Sequence, residues 1–214
     1  GDDNLIIEGD NFYGNIGGGD GKDIIDLTAL TGELNSGGYL WIDGGEGDDI
    51  IKSNDRSDIR GGSGNDVIEA GDVDDNVFGG DGNDSIEAGE GNNSVYGDDG
   101  NDYLESGGGA DSLFGGYGDD ILKAGGGNDV IYGAYNWGGS KANSESIDIG
   151  VFSGLSTDYK LSRATDTNFD YVYYIQDKRE GSPDGLDTLY DIDLLGFDDG
   201  DITINSFYEL NVGD

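Results

Sequence analysis

The sequence predicts an all-β protein: a solenoid of stacked parallel coils, closed at its C-terminal end by a β-rich cap. Three observations carry the prediction. A nine-residue pattern repeats in unbroken register through the middle of the chain. Gly supplies 43 of the 214 residues, and 47 acidic residues face 10 basic ones, for a formal net charge of −37. Leu, Ile, Val and Phe make up less than a quarter of the chain, close to the ~20% below which highly charged sequences stay disordered. Such a chain folds only if something neutralises it.

The repeat decides the architecture. From Gly61 to Tyr132 the chain divides into GGSGNDVIE, AGDVDDNVF, GGDGNDSIE, AGEGNNSVY, GDDGNDYLE, SGGGADSLF, GGYGDDILK and AGGGNDVIY. A further copy, GGEGDDIIK, begins at Gly44 and is followed by a degenerate SNDRSDIR from Ser53, while GGDGKDIID begins at Gly18. The sixth position is Asp in all but one of the eight blocks. The eighth reads Ile68, Val77, Ile86, Val95, Leu104, Leu113, Leu122, Ile131. A run of Gly, Asp and Asn cannot continue helix or sheet, but Gly takes the positive φ of tight turns. The other three residues suit a short strand with its middle side chain turned inward. Two repeats then make one coil, with a turn at each edge and a strand on each face, and coils stack ~4.8 Å apart. The eighth-position column is the whole core of such a stack. So thin a core cannot hold carboxylates together at both edges unless cations lie between them.

These blocks resemble the RTX (repeats-in-toxin) calcium-binding nonapeptide, and the resemblance implies a right-handed parallel β-roll. It also implies calcium ions between turns on the same edge, shared by sixth-position Asp residues and turn carbonyls. Calcium suits this donor set, because it accepts six to eight oxygens in a flexible shell. The expected metal residues are Asp23 in the isolated copy, Asp49, Asp66, Asp84, Asp102 and Asp120 on one edge with Gly44, Gly61, Gly79, Gly97 and Gly115, and Asp75, Asp111 and Asp129 on the other. Gly61 to Tyr132 holds 17 acidic residues and one Lys, a net −16, which roughly six shared divalent sites would largely cancel. The whole chain is expected to take roughly six to nine ions.

The two edges differ. Turns GGEGDD, GGSGND, GGDGND, GDDGND and GGYGDD form the first, where only Asp98 departs from the Gly pattern. On the second, aligned as Asp58, Asp75, Asn93, Asp111 and Asp129, Arg56 and Val73 replace the fourth-position Gly and Asn93 removes a charge. Good binding is expected at Asp111 and Asp129, and weaker or missing ions near Asp58 and Asn93. The ninth position alternates likewise. One face carries Lys52, Glu69, Glu87, Glu105 and Lys123, and the other Phe78, Tyr96, Phe114 and Tyr132. Two readings of this outward aromatic column stand together: rings that stack on one another under a covering segment, or a platform for a polysaccharide.

The flanks are less regular. Residues 1–43 read as wider coils of the same solenoid, opening on the tail of a truncated repeat, so that the array extends upstream. Asp23 to Leu27 and Gly37 to Asp43 are expected strands. Residues 44–133 are the nonapeptide body. Across 134–214 Gly falls while Tyr, Thr and β-branched residues rise, and strand-like runs appear at 147–152, 159–163, 171–177, 188–190 and 202–207. Through Val151-Phe152-Ser153-Gly154, Asp158-Tyr159, Gly185-Leu186-Asp187-Thr188-Leu189 and Leu194-Leu195-Gly196-Phe197-Asp198-Asp199-Gly200, roughly residues 147–201 are similar to the β-rich region following RTX arrays, and an open solenoid end needs a cap. Asp184, Asp187, Asp198, Asp199 and Asp201 are candidates either for a further ion or for turns.

Composition also excludes function classes. Nucleic acid and anionic membranes would repel the chain, and no apolar run approaches a membrane span. Without Cys or His there is no disulfide, no thiolate or imidazole zinc site and no His-based catalytic pair. Neither a His-Glu-x-x-His nor a Gly-x-Ser-x-Gly motif occurs. Repeats without Thr argue against an ice-binding face. The expectation is a non-catalytic module. The RTX resemblance implies a secreted bacterial protein exported by type I machinery, folding on extracellular calcium; a carbohydrate-binding adhesin segment, or an accessory module of an alginate epimerase-like enzyme, is the alternative.

Overall fold

The computed structural model describes residues 1–8, 14–30, 39–134, 146–165, 172–181, 183–200 and 202–203. Two ten-stranded sheets face each other. The first stacks three-residue strands in parallel: Asn4–Ile6, Ile24–Asp26, Ile50–Lys52, Val67–Glu69, Ser85–Glu87, Tyr103–Glu105, Ile121–Lys123, Ile149–Val151 and Leu194–Gly196, with Ile202–Thr203 antiparallel at the end. The second stacks Asn15–Asp20, Leu40–Glu46, Ser57–Ser63, Asn76–Asp81, Ser94–Asp99, Ser112–Tyr117, Val130–Tyr132 and Leu186–Tyr190 in parallel. Val172–Asp177 and Tyr159–Ala164 then close it antiparallel. A chain that visits each sheet once per coil and advances one rung each time is a β-solenoid.

The register follows the repeat. Ile68 faces Ile86 and Ile86 faces Leu104 across the first sheet, as Val77 faces Val95 and Val95 faces Leu113 across the second. These eighth-position side chains are fully buried, whereas the seventh-position Ile24, Val67 and Ile121 on the outer face are exposed. Period-two alternation thus gives each rung one core residue. The turns need Gly where φ is positive: Gly80 sits at 116°, and Asp98 takes the same place one coil later at 74°, a conformation that costs a non-Gly residue energy.

The nonapeptide spacing ends near 134, but both ladders run on. Ile149 pairs with Ile121 after a 28-residue interval in place of the usual 18, and Leu189 pairs with Ile131. Among the described residues of this region, the antiparallel strands, a 3-10 turn at Ser156–Asp158 and an aromatic cluster stand outside the coil pattern. Gly150 falls in the core column, and Phe152 and Ile192 fill its space, 3.3 and 3.5 Å from where a Cβ would lie. Phe152, Tyr159 and Phe197 then close the core with ring centroids 5.2–6.0 Å apart. The strand expected over 37–43 is Leu40–Glu46; Gly37, Gly38, Tyr171, Asp201 and 204–207 lie outside the described residues.

Candidate metal centre

Each turn brings its sixth residue to the coil edge, buried beneath the next turn. There the backbone N–H of one rung donates to the carboxylate Oδ1 of the following rung. On the first edge Asp49 donates to Asp66 (2.7 Å), Asp66 to Asp84 (2.8 Å), Asp84 to Asp102 (2.8 Å) and Asp102 to Asp120 (2.9 Å). On the second, Ser57 donates to Asp75 (2.7 Å), Asn93 to Asp111 (2.7 Å) and Asp111 to Asp129 (2.9 Å). The other oxygen, Oδ2, is buried without a hydrogen-bond partner in Asp23, Asp49, Asp66, Asp75, Asp84, Asp102, Asp111, Asp120 and Asp129. An ionised carboxylate held so costs several kcal/mol unless a cation meets it.

The electrostatics agree. Burial pushes the carboxyls of Asp84 and Asp102 up to about 6, those of Asp66, Asp75 and Asp129 to about 7, and that of Asp120 to about 8, with acidic neighbours adding to the rise. Asp49 and Asp111 are raised by burial as well. The N–H bond to Oδ1 offsets only part of this. The edge therefore demands either protons or metal.

The first edge has the shape for metal. A Cβ on Gly79 would fall on Asp84 Oδ2 and lie 2.8 Å from the Gly97 carbonyl; Gly61 stands in the same relation to Asp66 and Gly79, and Gly97 to Asp102 and Gly115. Gly44 and Gly115 repeat it with Asp49 and Asp120. A carboxylate oxygen and a carbonyl of the adjacent coil thus turn toward one point, kept clear by the missing side chain. Among the described residues no three acidic side chains converge, so an ion held here would take most of its donors from turn carbonyls, a set calcium accepts. Asp and Gly together would hold the ion, and its charge would neutralise Oδ2.

Some residues fall elsewhere than the spacing suggests. Asp58 is not on the ladder: its strand pairs it with Asn76, and Ser57 takes the rung, because the shortened repeat loses its residue inside the turn. Asp58 instead accepts from Tyr39 Oη (2.7 Å) and Asn76 Nδ2 (2.9 Å). Among the described residues, the C-terminal candidates Asp184, Asp187, Asp198 and Asp199 do not gather into one cluster either. Asp184 accepts from Ser153, Tyr159 and Arg179, Asp198 from Gly154 N–H and Asp199 from Ser156.

Three features escape the template. Asp148 and Asp187 extend the ladders, accepting from Asp120 N–H (3.1 Å) and Asp129 N–H (2.9 Å), with carboxyls raised by burial to about 7 and 8. The quartet Asp187-Thr188-Leu189-Tyr190, which matches the end of a repeat, is the signal for the second. The fifth position, left open in the template, is Asn or Asp in seven of the eight blocks for a reason. Asp48 accepts from Asn65 N–H, Asn65 from Asn83, Asn83 from Asn101 and Asn101 from Asp119. Adjacent side chains thus reach in opposite directions, the fifth toward the coil after and the sixth toward the coil before. Finally, the first position is Gly on one edge but Ser53, Ala70, Ala88, Ser106 and Ala124 on the other, all buried.

The aromatic column is a closed stack. Phe78, Tyr96, Phe114, Tyr132 and Tyr190 lie face to face at 4.4–4.9 Å and 3–8°, and Arg60 sits between Trp41 and Phe78. The faces on which a sugar would stack lie against neighbouring rings.

The family model for the RTX calcium-binding nonapeptide repeat (4 copies) matches residues 41–59, 53–86, 70–104, 78–113 and 105–134. No curated protein sequence matches the chain. Sixth-position carboxylates with a sealed, unpartnered oxygen, repeated along both edges of a parallel solenoid, agree with that match: residues 41–134 carry the RTX calcium-binding nonapeptide repeat, and their stacked coils fit a calcium-binding β-roll.

Proposed function

We propose that the chain is a calcium-triggered folding module of a secreted bacterial protein, not an enzyme in its own right. Residues 1–43 are its entry coils, 44–133 its nonapeptide body and 134–214 its terminating segment. The nine buried, unpartnered Oδ2 atoms carry the reading. Where calcium is scarce, as inside a cell, the charge of −37 keeps the chain expanded and fit for type I export. Outside, calcium modules of this kind bind at ~10⁻⁴ to 10⁻³ M, and every bound ion adds its linkage free energy to folding. Roughly six to nine ions shared between successive rungs make the transition cooperative. Among the described residues no helix is long and apolar enough to cross a membrane.

Circular dichroism of the whole chain tests this. With chelator the β signal is expected to collapse, and added calcium to restore it steeply. A β signal indifferent to chelation overturns the proposal.

A further inference from the structure

Within the repeats, two rungs of the second edge carry no carboxylate, Ser57 and Asn93, and each turns a side-chain donor where the Asp rungs leave Oδ2 bare. Asn93 is buried, and its Oδ1 accepts from Asp75 N–H at 2.9 Å. That bond fixes the amide orientation, because the N–H needs an acceptor and an NH₂ group offers none. The Nδ2 end then faces the turn carbonyls, donating to Gly89 O at 3.0 Å and Glu90 O at 3.4 Å, with Ser106 Oγ of the following coil at 3.4 Å. Ser57, equally buried, donates through Oγ to Asp55 O at 2.5 Å and lies 3.0 Å from Ser53 Oγ. In both places a neutral donor bonds turn carbonyls that a cation would otherwise draw together, and no carboxylate oxygen is left over.

From this geometry we infer that Asn93 and Ser57 are built-in substitutes for metal ions. The inference rests on the calcium reading of the Asp rungs and adds a map of the second edge. The Asn93 amide spans the turns of two successive coils, so the gap in the ion column falls between the coil of Asn93 and the coil of Asp111. Asp75 is left between two plugged rungs as a lone carboxylate site, whereas Asp111, Asp129 and Asp187 follow one another without interruption. The second edge is thus held partly by its own side chains and partly by ions, while each sixth-position rung from Asp23 to Asp148 on the first edge is an Asp.

Calcium counting by equilibrium dialysis on the whole chain tests the inference. Asn93→Asp is expected to bind one more ion per chain and to need more calcium to fold, because its new carboxylate must be met. Asp111→Asn is expected to bind one fewer. If Asp111→Asn lowers the count and Asn93→Asp leaves it unchanged, the substitution idea falls while the calcium reading stands; if Asp111→Asn leaves it unchanged, the calcium reading falls and the inference with it. Crystals of the unsubstituted chain grown in calcium give a second measurement that needs no variant to fold. Anomalous scattering is expected to show no ion beside Asn93 Nδ2, and an ion between the turns of Asn93 and Asp111 overturns the inference.

Discussion

At the scale of single residues, the geometry sets a glycine against an oxygen. Gly79 has no side chain because a Cβ there would collide with Asp84 Oδ2 and crowd the Gly97 carbonyl, whereas a Cβ on Gly17 would meet only ordinary contact, 3.8 Å from Asp43 O. Gly79→Ala is expected to cost about 1–3 kcal/mol, as overpacking does, and to raise the calcium concentration at half-folding. Gly17→Ala should change neither. Calcium titration followed by circular dichroism separates the two, and equal midpoints would show that the space beside Oδ2 is not used. The ladder itself was readable from spacing: the sixth-position Asp residues of the repeats are those with a buried, unpartnered oxygen. Ser57 was not, because a deletion inside a degenerate turn leaves two registers open until the strand pairing Asp58↔Asn76 chooses one. Nor could a template that left the fifth position blank reveal that its Asn and Asp side chains cap N–H groups of the neighbouring coil.

At the scale of elements, strands of three to seven residues gain little from local propensity and depend on what stacks above and below them. The aromatic column shows this. Tyr96 is sandwiched between Phe78 and Phe114, at 4.7 and 4.6 Å, and such pairs contribute ~0.5–1.5 kcal/mol each beyond burial. Tyr96→Ala is therefore expected to destabilise the calcium-loaded chain by about 1–3 kcal/mol, read from chemical denaturation at saturating calcium. A loss no larger than for an exposed residue such as Val67→Ala would mean the stack is incidental. The opposite face has Lys52–Glu69 and Glu105–Lys123 pairs at 2.5 Å, each substantially exposed, and exposed pairs add little. Period nine made these strands legible through Tyr132. The later coils hid because an interval of 28 residues breaks the spacing and Gly150 stands where the core residue is expected.

For the whole molecule, the buried carboxylates act together. Folded values of about 6 to 8 for Asp66, Asp75, Asp84, Asp102, Asp120, Asp129, Asp148 and Asp187 lie above the unfolded ~3.9, so without metal these rungs take up protons on folding. The stability this supplies is fully present below about pH 4 and is lost as pH rises through 6 to 8. Acid should therefore replace part of the calcium: in chelator, the β signal is expected to be stronger at pH 5 than at pH 8. Equal disorder at both values would show that protonation does not relieve the edges. Composition foretold a self-repelling chain in need of neutralisation, but not that each carboxylate has one oxygen already tied to the coil before it.

The antiparallel pair Val172–Asp177 and Tyr159–Ala164 has a consequence for assembly. A stack of identical parallel rungs is a template that another molecule could extend, end upon end, into a fibre. Val172–Asp177 runs against the rungs and Tyr159–Ala164 runs with them again, so a back-and-forth meander replaces the repeating coil at that end of the second sheet. Head-to-tail polymerisation there would have to begin on a hairpin strand and not on an 18-residue coil of the repeat.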